Sequence, residues 1–355
     1  ELLARFLRNL ASYGSCPDKS DYFDKASRNP YEENARNKSA FNGVPSGFMA
    51  LDRVTMGWQP SDLIIIAARP SMGKTAFALS MTRNITIDYN KPVGYFSLEM
   101  SAQQLKMRLL AAESGLNFRN LYNGQLTPDQ RKYLETSPLT NAPLFIDDTP
   151  ALSITELRSK VEKLKTQHDI QLIVIDYLQL MNLGCHDNKR NREQEVAAIL
   201  CSLKAVAKEF DLPIIVLSMV SRSCSSANKC PQLSDLDYLK AIDIEQNVDL
   251  VIFIHRPEYY GITVDENGMA TAGVAELIIA KHRNGAVGDV LLKFRGEYAR
   301  FQDPEEDAYV PMPGEAVAFG AGRGEDVPLP AADMVPPSDA ASPFGAPLPE
   351  GPLPF

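Results

Sequence analysis

The sequence predicts an α/β fold: a mostly parallel, doubly wound sheet with helices on both faces and a late β-hairpin. Three observations carry this. Apolar runs of strand length recur at 62–68, 92–98, 143–148, 170–178, 212–218 and 248–255. These runs are rich in Ile and Val and lack polar alternation, the mark of strands covered on both faces. Helical patterns at 74–88, 101–115, 153–168 and 191–210 separate most of them, and strand–helix alternation builds a parallel sheet.

The elements follow in order. Residues 1–40 read as a short helix plus a polar linker: "ELLARFLRNLASYG" has amphipathic spacing, and 15–40 is polar and without period. Arginines inside the first segment exclude a signal peptide. The first residue is Glu1 rather than Met, so the expectation is a fragment lacking upstream sequence. The main domain spans 41–303. Its last segments, "AELIIAKHR" and "GDVLLKF", flank the turn-like "NGAVG" and form the hairpin. Residues 304–355 hold twelve of the 25 prolines, with Gly, Ala and acidic residues between them. Such a tail buries too little apolar surface to offset its ordering entropy and is expected to be disordered. Its ending, Pro354-Phe355, resembles the acidic tip of bacterial single-stranded-DNA-binding proteins; a solvated end is the preferred reading.

Composition narrows the function classes. No segment is long and apolar enough to span a membrane. The five cysteines are Cys16, Cys185, Cys201, Cys224 and Cys230. Their odd number and the lack of a C-x-x-C pair point to reduced, cytosolic thiols. The four histidines do not cluster in sequence, and none is close enough to Cys224 and Cys230 to complete a zinc site, so no histidine-based metal site is expected. The net charge of −9 sits in residues 303–355, with ten acidic residues and one basic; residues 1–302 sum to zero. The acidic balance therefore does not exclude a nucleic-acid partner for the folded part.

Chemistry concentrates in four places. "ARPSMGKTAFALS" (68–80) lies between an apolar strand and a helix, the context of a phosphate-binding loop, with Ala68 where the general pattern has its first glycine. Ser71, Met72, Gly73, Lys74, Thr75 and Ala76 would line the nucleotide, their amides facing phosphate where the helix dipole favours anions. Lys74 would reach the β- and γ-phosphates, and Thr75 would ligate Mg²⁺. Ala68 is tolerated there if its φ stays negative. Asp176 ends the run "LIVID", where nucleotide sites sit in open α/β sheets, and would support the same Mg²⁺. Glu99 in "YFSLEM" is open to two readings: the base that polarises attacking water, or a carboxylate at a helix start capped by Ser101. Lys281 and Arg283 alternate about His282 and point the same way. They either stabilise phosphoryl-transfer charge or form a basic edge that limits strand pairing.

Five motifs then agree in order and spacing. "GVPSGFMALDRVTMGWQPSDLIIIAARPSMGKTAFAL", "GYFSLEMSAQQLKMRLL", "LIVIDYLQLM", "IEQNVDLVIFIHRPEYYGI" and "AELIIAKHRNGAVGDVLLKF" resemble the C-terminal motor domain of replicative DNA helicases of the DnaB family. The resemblance covers 41–302 and implies a RecA-like P-loop NTPase using ATP and Mg²⁺. It gives Lys74 and Thr75 to triphosphate and metal, Asp176 to the metal and Glu99 to water activation. It places Arg108 near the phosphates, and brings Lys281 and Arg283 to the γ-phosphate from the adjacent protomer of a homo-hexameric ring. It implies single-stranded DNA in the pore, a cytoplasmic, nucleoid-associated setting, and primase and a helicase loader as partners through parts outside this sequence. Alanine at position 68 is this family's own variant.

Three departures touch coupling rather than hydrolysis. The family ends its fifth strand "LSQL", its Gln sensing γ-phosphate; here Met219 stands there and makes no comparable hydrogen bond. The loop "LDYLKAIDIEQ" (236–246) is two residues longer than the family's and lacks its glycine, and Leu200 and Cys201 occupy a region where the family often has Arg. They motivate an alternative reading: a RecA-like ATPase with impaired DNA coupling and a regulatory or recombination role.

Overall fold

In the computed structural model the described residues are 43–304, except 117, 119, 120, 122, 124, 125, 184–190, 221–229, 237, 238, 240 and 265–267. The expected N-terminal helix and linker, and the acidic tail after Pro304, lie outside them, as does part of the 236–246 loop. The strands are β1 (Leu63–Ala68), β2 (Val93–Ser97), β3 (Leu144–Asp147), β4 (Leu172–Asp176), β5 (Ile214–Met219), β6 (Leu250–His255), β7 (Val274–His282), β8 (Gly288–Arg295) and β9 (Arg300–Gln302). The helices are α1 (Met49–Thr55), α2 (Lys74–Arg83), α3 (Ala102–Ser114), α4 (Pro128–Glu135), α5 (Ile154–His168), α6 (Arg192–Phe210) and α7 (Ala241–Asn247).

The strands form one sheet in the order β3-β2-β4-β5-β1-β6-β7-β8-β9. Pairings from β3 through β6 are parallel, and those from β6 to β9 are antiparallel. Every expected strand forms. The hairpin of β7 and β8 gains a third strand, β9, whose three residues are too short to announce themselves by period.

Alternation within the buried strands sorts the core into two layers. On β1, Ile64, Ile66 and Ala68 face the layer of α2 and α3, with Phe77, Met81, Leu105 and Leu109. Leu63, Ile65 and Ala67 face the layer of α5, α6 and α7, with Val161, Ile199, Leu203 and Ile244. Both faces of the strand are thus apolar, which is why its sequence shows no polar alternation. Three helices start on reciprocal capping boxes: Ser101 with Gln104, Thr127 with Gln130, and Ser153 with Glu156. The boxes at Ser101 and Ser153 set where the chain turns from β2 and β3 into α3 and α5.

One packing contact positions the phosphate loop. Phe301 of β9 meets Phe77 of α2 edge-on at 5.5 Å and Phe294 of β8 at 4.8 Å. Its amide donates to Ser80 Oγ at 3.0 Å. The C-terminal hairpin therefore braces the helix that carries Lys74. Phe301 is fully buried, so Phe301→Ala is expected to cost about 3–5 kcal/mol of unfolding free energy. Urea denaturation of the two proteins measures this.

Candidate active site

At the C-terminal end of β1 the chain enters the 68–75 loop. Ala68 keeps strand geometry and pairs with Met219 on one side and Ile254 on the other, so glycine is not needed there. The left-handed positions fall later, at Ser71 (φ 67°) and Gly73 (φ 96°). The positive φ at Gly73 favours glycine, and a Cβ there would press on the Phe301 ring at 3.3 Å. α2 begins at Lys74 with no side chain capping it. Its first amides are left for an anion, as at helix N-termini that hold phosphate. Met72 and Ala76 are buried beneath the loop, and Ser71 is exposed on it.

The acidic side of the site comes from the neighbouring strands. Parallel pairing of β2 with β4 sets Ser97 beside Asp176. Asp176 is fully buried; its Oδ2 accepts from Thr75 Oγ1 at 2.8 Å and from the Tyr95 hydroxyl at 3.2 Å. Its Oδ1 is buried and makes no hydrogen bond among the described residues. Burial pushes the carboxyl above its ordinary pKa, opposed by the Lys74 charge and by the bonds from Thr75 and Tyr95. Desolvation holds the Lys74 ammonium below its ordinary pKa, opposed by Asp176 and Glu99. The Lys74 Nζ also lies 4.5 Å from the centre of the Tyr177 ring. A free carboxylate oxygen beside a threonine hydroxyl is a hard-oxygen donor set of the kind Mg²⁺ takes.

Glu99 stands exposed on the turn after β2. Ser97 Oγ ties that turn by donating to the Met100 carbonyl at 2.6 Å and accepting from the Met100 amide at 3.2 Å. The α3 cap is closed by Ser101 and Gln104, so Glu99 takes no part in it. Its charge is instead felt at Lys74, Tyr95 and Tyr177. Arg108, on α3, is half-buried and acts electrostatically on Asp176 and Tyr95.

Lys281 and Arg283 are not part of this cluster. β7 pairs Lys281 with Val251 and His282 with Leu250, toward the N-terminal edge of the parallel strands. Both cations turn to the C-terminus of α7, on the other face from α2. Lys281 Nζ donates to the carbonyls of Ile244 (2.8 Å), Glu245 (3.0 Å) and Val248 (2.7 Å). Arg283 donates to the carbonyls of Glu245 (3.0 Å) and Gln246 (3.1 Å) and to Asp249 Oδ1 (2.9 Å). Cations at a helix C-terminus satisfy its open carbonyls and oppose its dipole. The basic-edge reading fails, because β7 is paired on both sides.

A family model described as the DnaB-like helicase C terminal domain matches residues 43–303. The chain belongs to this family. It is 46% identical over 275 residues to the replicative DNA helicase DnaB of Geobacillus stearothermophilus, covering 76% of this chain and 59% of that protein. It is 42% identical over 280 residues to the replicative DNA helicase DnaC of Bacillus subtilis (strain 168), covering 77% and 60%. The chain thus spans about three fifths of these relatives. Among solved structures, an isolated ATPase domain matches with a TM-score of 0.72 at 32% identity, covering 82% of this chain and 100% of that one. A DnaB-like replicative helicase, solved for its interactions with primase, matches at 0.69 and 32% identity, covering 82% and 67%. The RecA-like fold of the DnaB family is therefore the fold of this domain.

Within this DnaB-like domain, sequence reasoning missed the tyrosines. Tyr95 looks like one more apolar residue of β2, yet it donates to the buried Asp176. Tyr177 follows that aspartate directly, within "IDYLQL". Spacing along the chain sets every histidine apart from Cys224 and Cys230, but the fold brings one to Cys230. The β6–β7 pairing puts His255 opposite Glu276, and Cys230 reaches them through the fold. Distance along the chain hid that meeting.

The same domain holds a charge cluster at its N-terminal edge. Asp249 accepts from Lys204 Nζ (2.5 Å), Arg283 and the Leu63 amide (2.9 Å), whereas Asp62 keeps Lys204 only at 4.0 Å. Burial and the Asp249 charge raise the Asp62 pKa to about 6. The folded state therefore holds this proton above pH 3.8, and the stability it contributes is lost as pH rises through about 6. Asp62→Asn is expected to remove that loss. The variant should exceed the parent by on the order of 2 kcal/mol at pH 7 and match it below pH 4, read from denaturation midpoints across pH.

Proposed function

We propose that this chain is the ATP-hydrolysing motor of a replicative DNA helicase, acting at the subunit interfaces of a homo-hexameric ring that translocates on single-stranded DNA. The observation that carries the reading is the constellation of Lys74, Thr75, Asp176 and Glu99 on adjoining strand ends. Lys74 and the α2 amides would hold the phosphates. Thr75 and Asp176 Oδ1 would hold Mg²⁺, which when bound neutralises phosphate charge. Glu99, exposed and free of the α3 cap, would take a proton from water, and Arg108 would balance the negative charge above Asp176.

Lys281 and Arg283 support the ring. They sit at the opposite edge and the opposite face from Lys74, so one chain does not present them to its own phosphates; in the proposed ring a neighbour arranged head to tail would. Release from the α7 carbonyls would accompany their engagement. Single-stranded DNA, primase and a helicase loader are the proposed partners, and the cytoplasm, at the nucleoid, the proposed location. Met219, half-buried beside Ala68 at the loop edge, favours the second reading of an ATPase with weakened DNA coupling.

Glu99→Gln should lower kcat by roughly 10²–10⁴-fold while nucleotide binding persists. Arg283→Ala should lose turnover by about 10³-fold or more. Mixing it with Lys74→Ala subunits should restore part of that activity, because each supplies what the other lacks; mixtures as inactive as their parents would remove the shared site. Single-stranded DNA should stimulate the ATPase, with affinity falling steeply in salt. Strand displacement on a forked duplex separates the two readings: its absence, with hydrolysis intact, selects the second.

A further inference from the structure

β6 and β7 pair so that His255 stands directly opposite Glu276, and opposed residues of an antiparallel pair project from the same face. The connection from β5 to α7 returns to this spot at Cys230. One donor atom from each of Cys230, His255 and Glu276 lies within 4.8 Å of the other two. His255 is 3% exposed, and its buried Nδ1 makes no hydrogen bond among the described residues. A buried ring nitrogen left this way is destabilising in either tautomer until a partner reaches it. The Tyr260 ring lies near-parallel to the imidazole, its centre 6.0 Å away.

We propose that Cys230, His255 and Glu276 form a site for a divalent transition metal of the zinc class. One sulfur, one nitrogen and one oxygen make a borderline-soft donor set, and a water completes a tetrahedron. The charges support it. Glu276 and Asp289 both act on Cys230, and Arg69 acts on Cys230 and His255. Thiolate and two carboxylates then balance a divalent ion and the Arg69 guanidinium. Desolvation and the Arg69 charge favour neutral imidazole, the ligating form. Desolvation and the two carboxylates raise the Cys230 thiol above its ordinary pKa, so the metal itself displaces the thiol proton to solvent. No electron transfer is involved. The ion would tie Cys230 to β6 and β7 at the C-terminal edge of the parallel strands, the edge at which β1 runs into the phosphate loop.

The test is a Co²⁺ titration of the reduced, metal-free, full-length chain. The expected result is a sulfur-to-cobalt charge-transfer absorption that saturates at one ion per chain and is displaced by Zn²⁺. Co²⁺ held by Thr75 and Asp176 gives no such band, because those ligands are oxygens. Cys230→Ser, at an exposed position, should abolish the band, and serine at Cys16, Cys185, Cys201 or Cys224 should leave it. Glu276→Gln should weaken apparent affinity by about tenfold or more, with circular dichroism unchanged. No charge-transfer band, a band that survives Cys230→Ser, or an affinity indifferent to Glu276→Gln overturns the site.

Discussion

The hydrogen bond from Thr75 to Asp176 holds the nucleotide edge together. It joins the first turn of α2 to the end of β4, two segments 101 residues apart in the chain. It forms because β4, β5 and β1 lie side by side in parallel, so their C-terminal ends share one edge of the sheet. The buried aspartate accepts it with one oxygen and keeps the other available. Burial makes that second oxygen costly when bare and effective when a cation takes it. Lys74, half-shielded against Tyr177, supplies the countercharge in the meantime.

Two kinds of cation occupy this domain, and the sheet keeps them apart. Lys74 belongs to the C-terminal edge, where parallel strands deliver loops to ligands. Lys281 and Arg283 belong to the N-terminal edge, where they close the end of α7. Asp249 links Arg283 to Lys204 and to the start of β1. Arg283 is thus tied at once to the end of α7 and, through Asp249, to the root of β1, the strand that leads into the phosphate loop.

Much of this was legible in the sequence, for a physical reason. Strands buried on both faces need unbroken apolar runs, and β1, β4 and β6 supply them. Capping boxes write helix starts into three-residue spacings. Gly73 and Lys74 are local, so their motif reads directly. What stayed hidden depends on contacts between distant segments. Tyr95 could not be told from core until Asp176 was placed above it. The Cys230–His255–Glu276 cluster depends on strand register, which no local pattern fixes. β9 is too short to carry a period, and α7 is a seven-residue helix whose end is completed by side chains from another strand.

The brace of β9 on α2 sets a timetable for the newborn chain. Ser80 and Phe301, hydrogen-bonded partners, leave the ribosome 221 residues apart. At usual synthesis rates that interval is on the order of ten seconds or more. Throughout it, the helix that bears Lys74 lacks the aromatic wall against which Phe77 and Gly73 rest. The phosphate loop is among the first parts of this domain to be made and among the last to be finished. The wall behind that loop is thus complete only once β9 has been made.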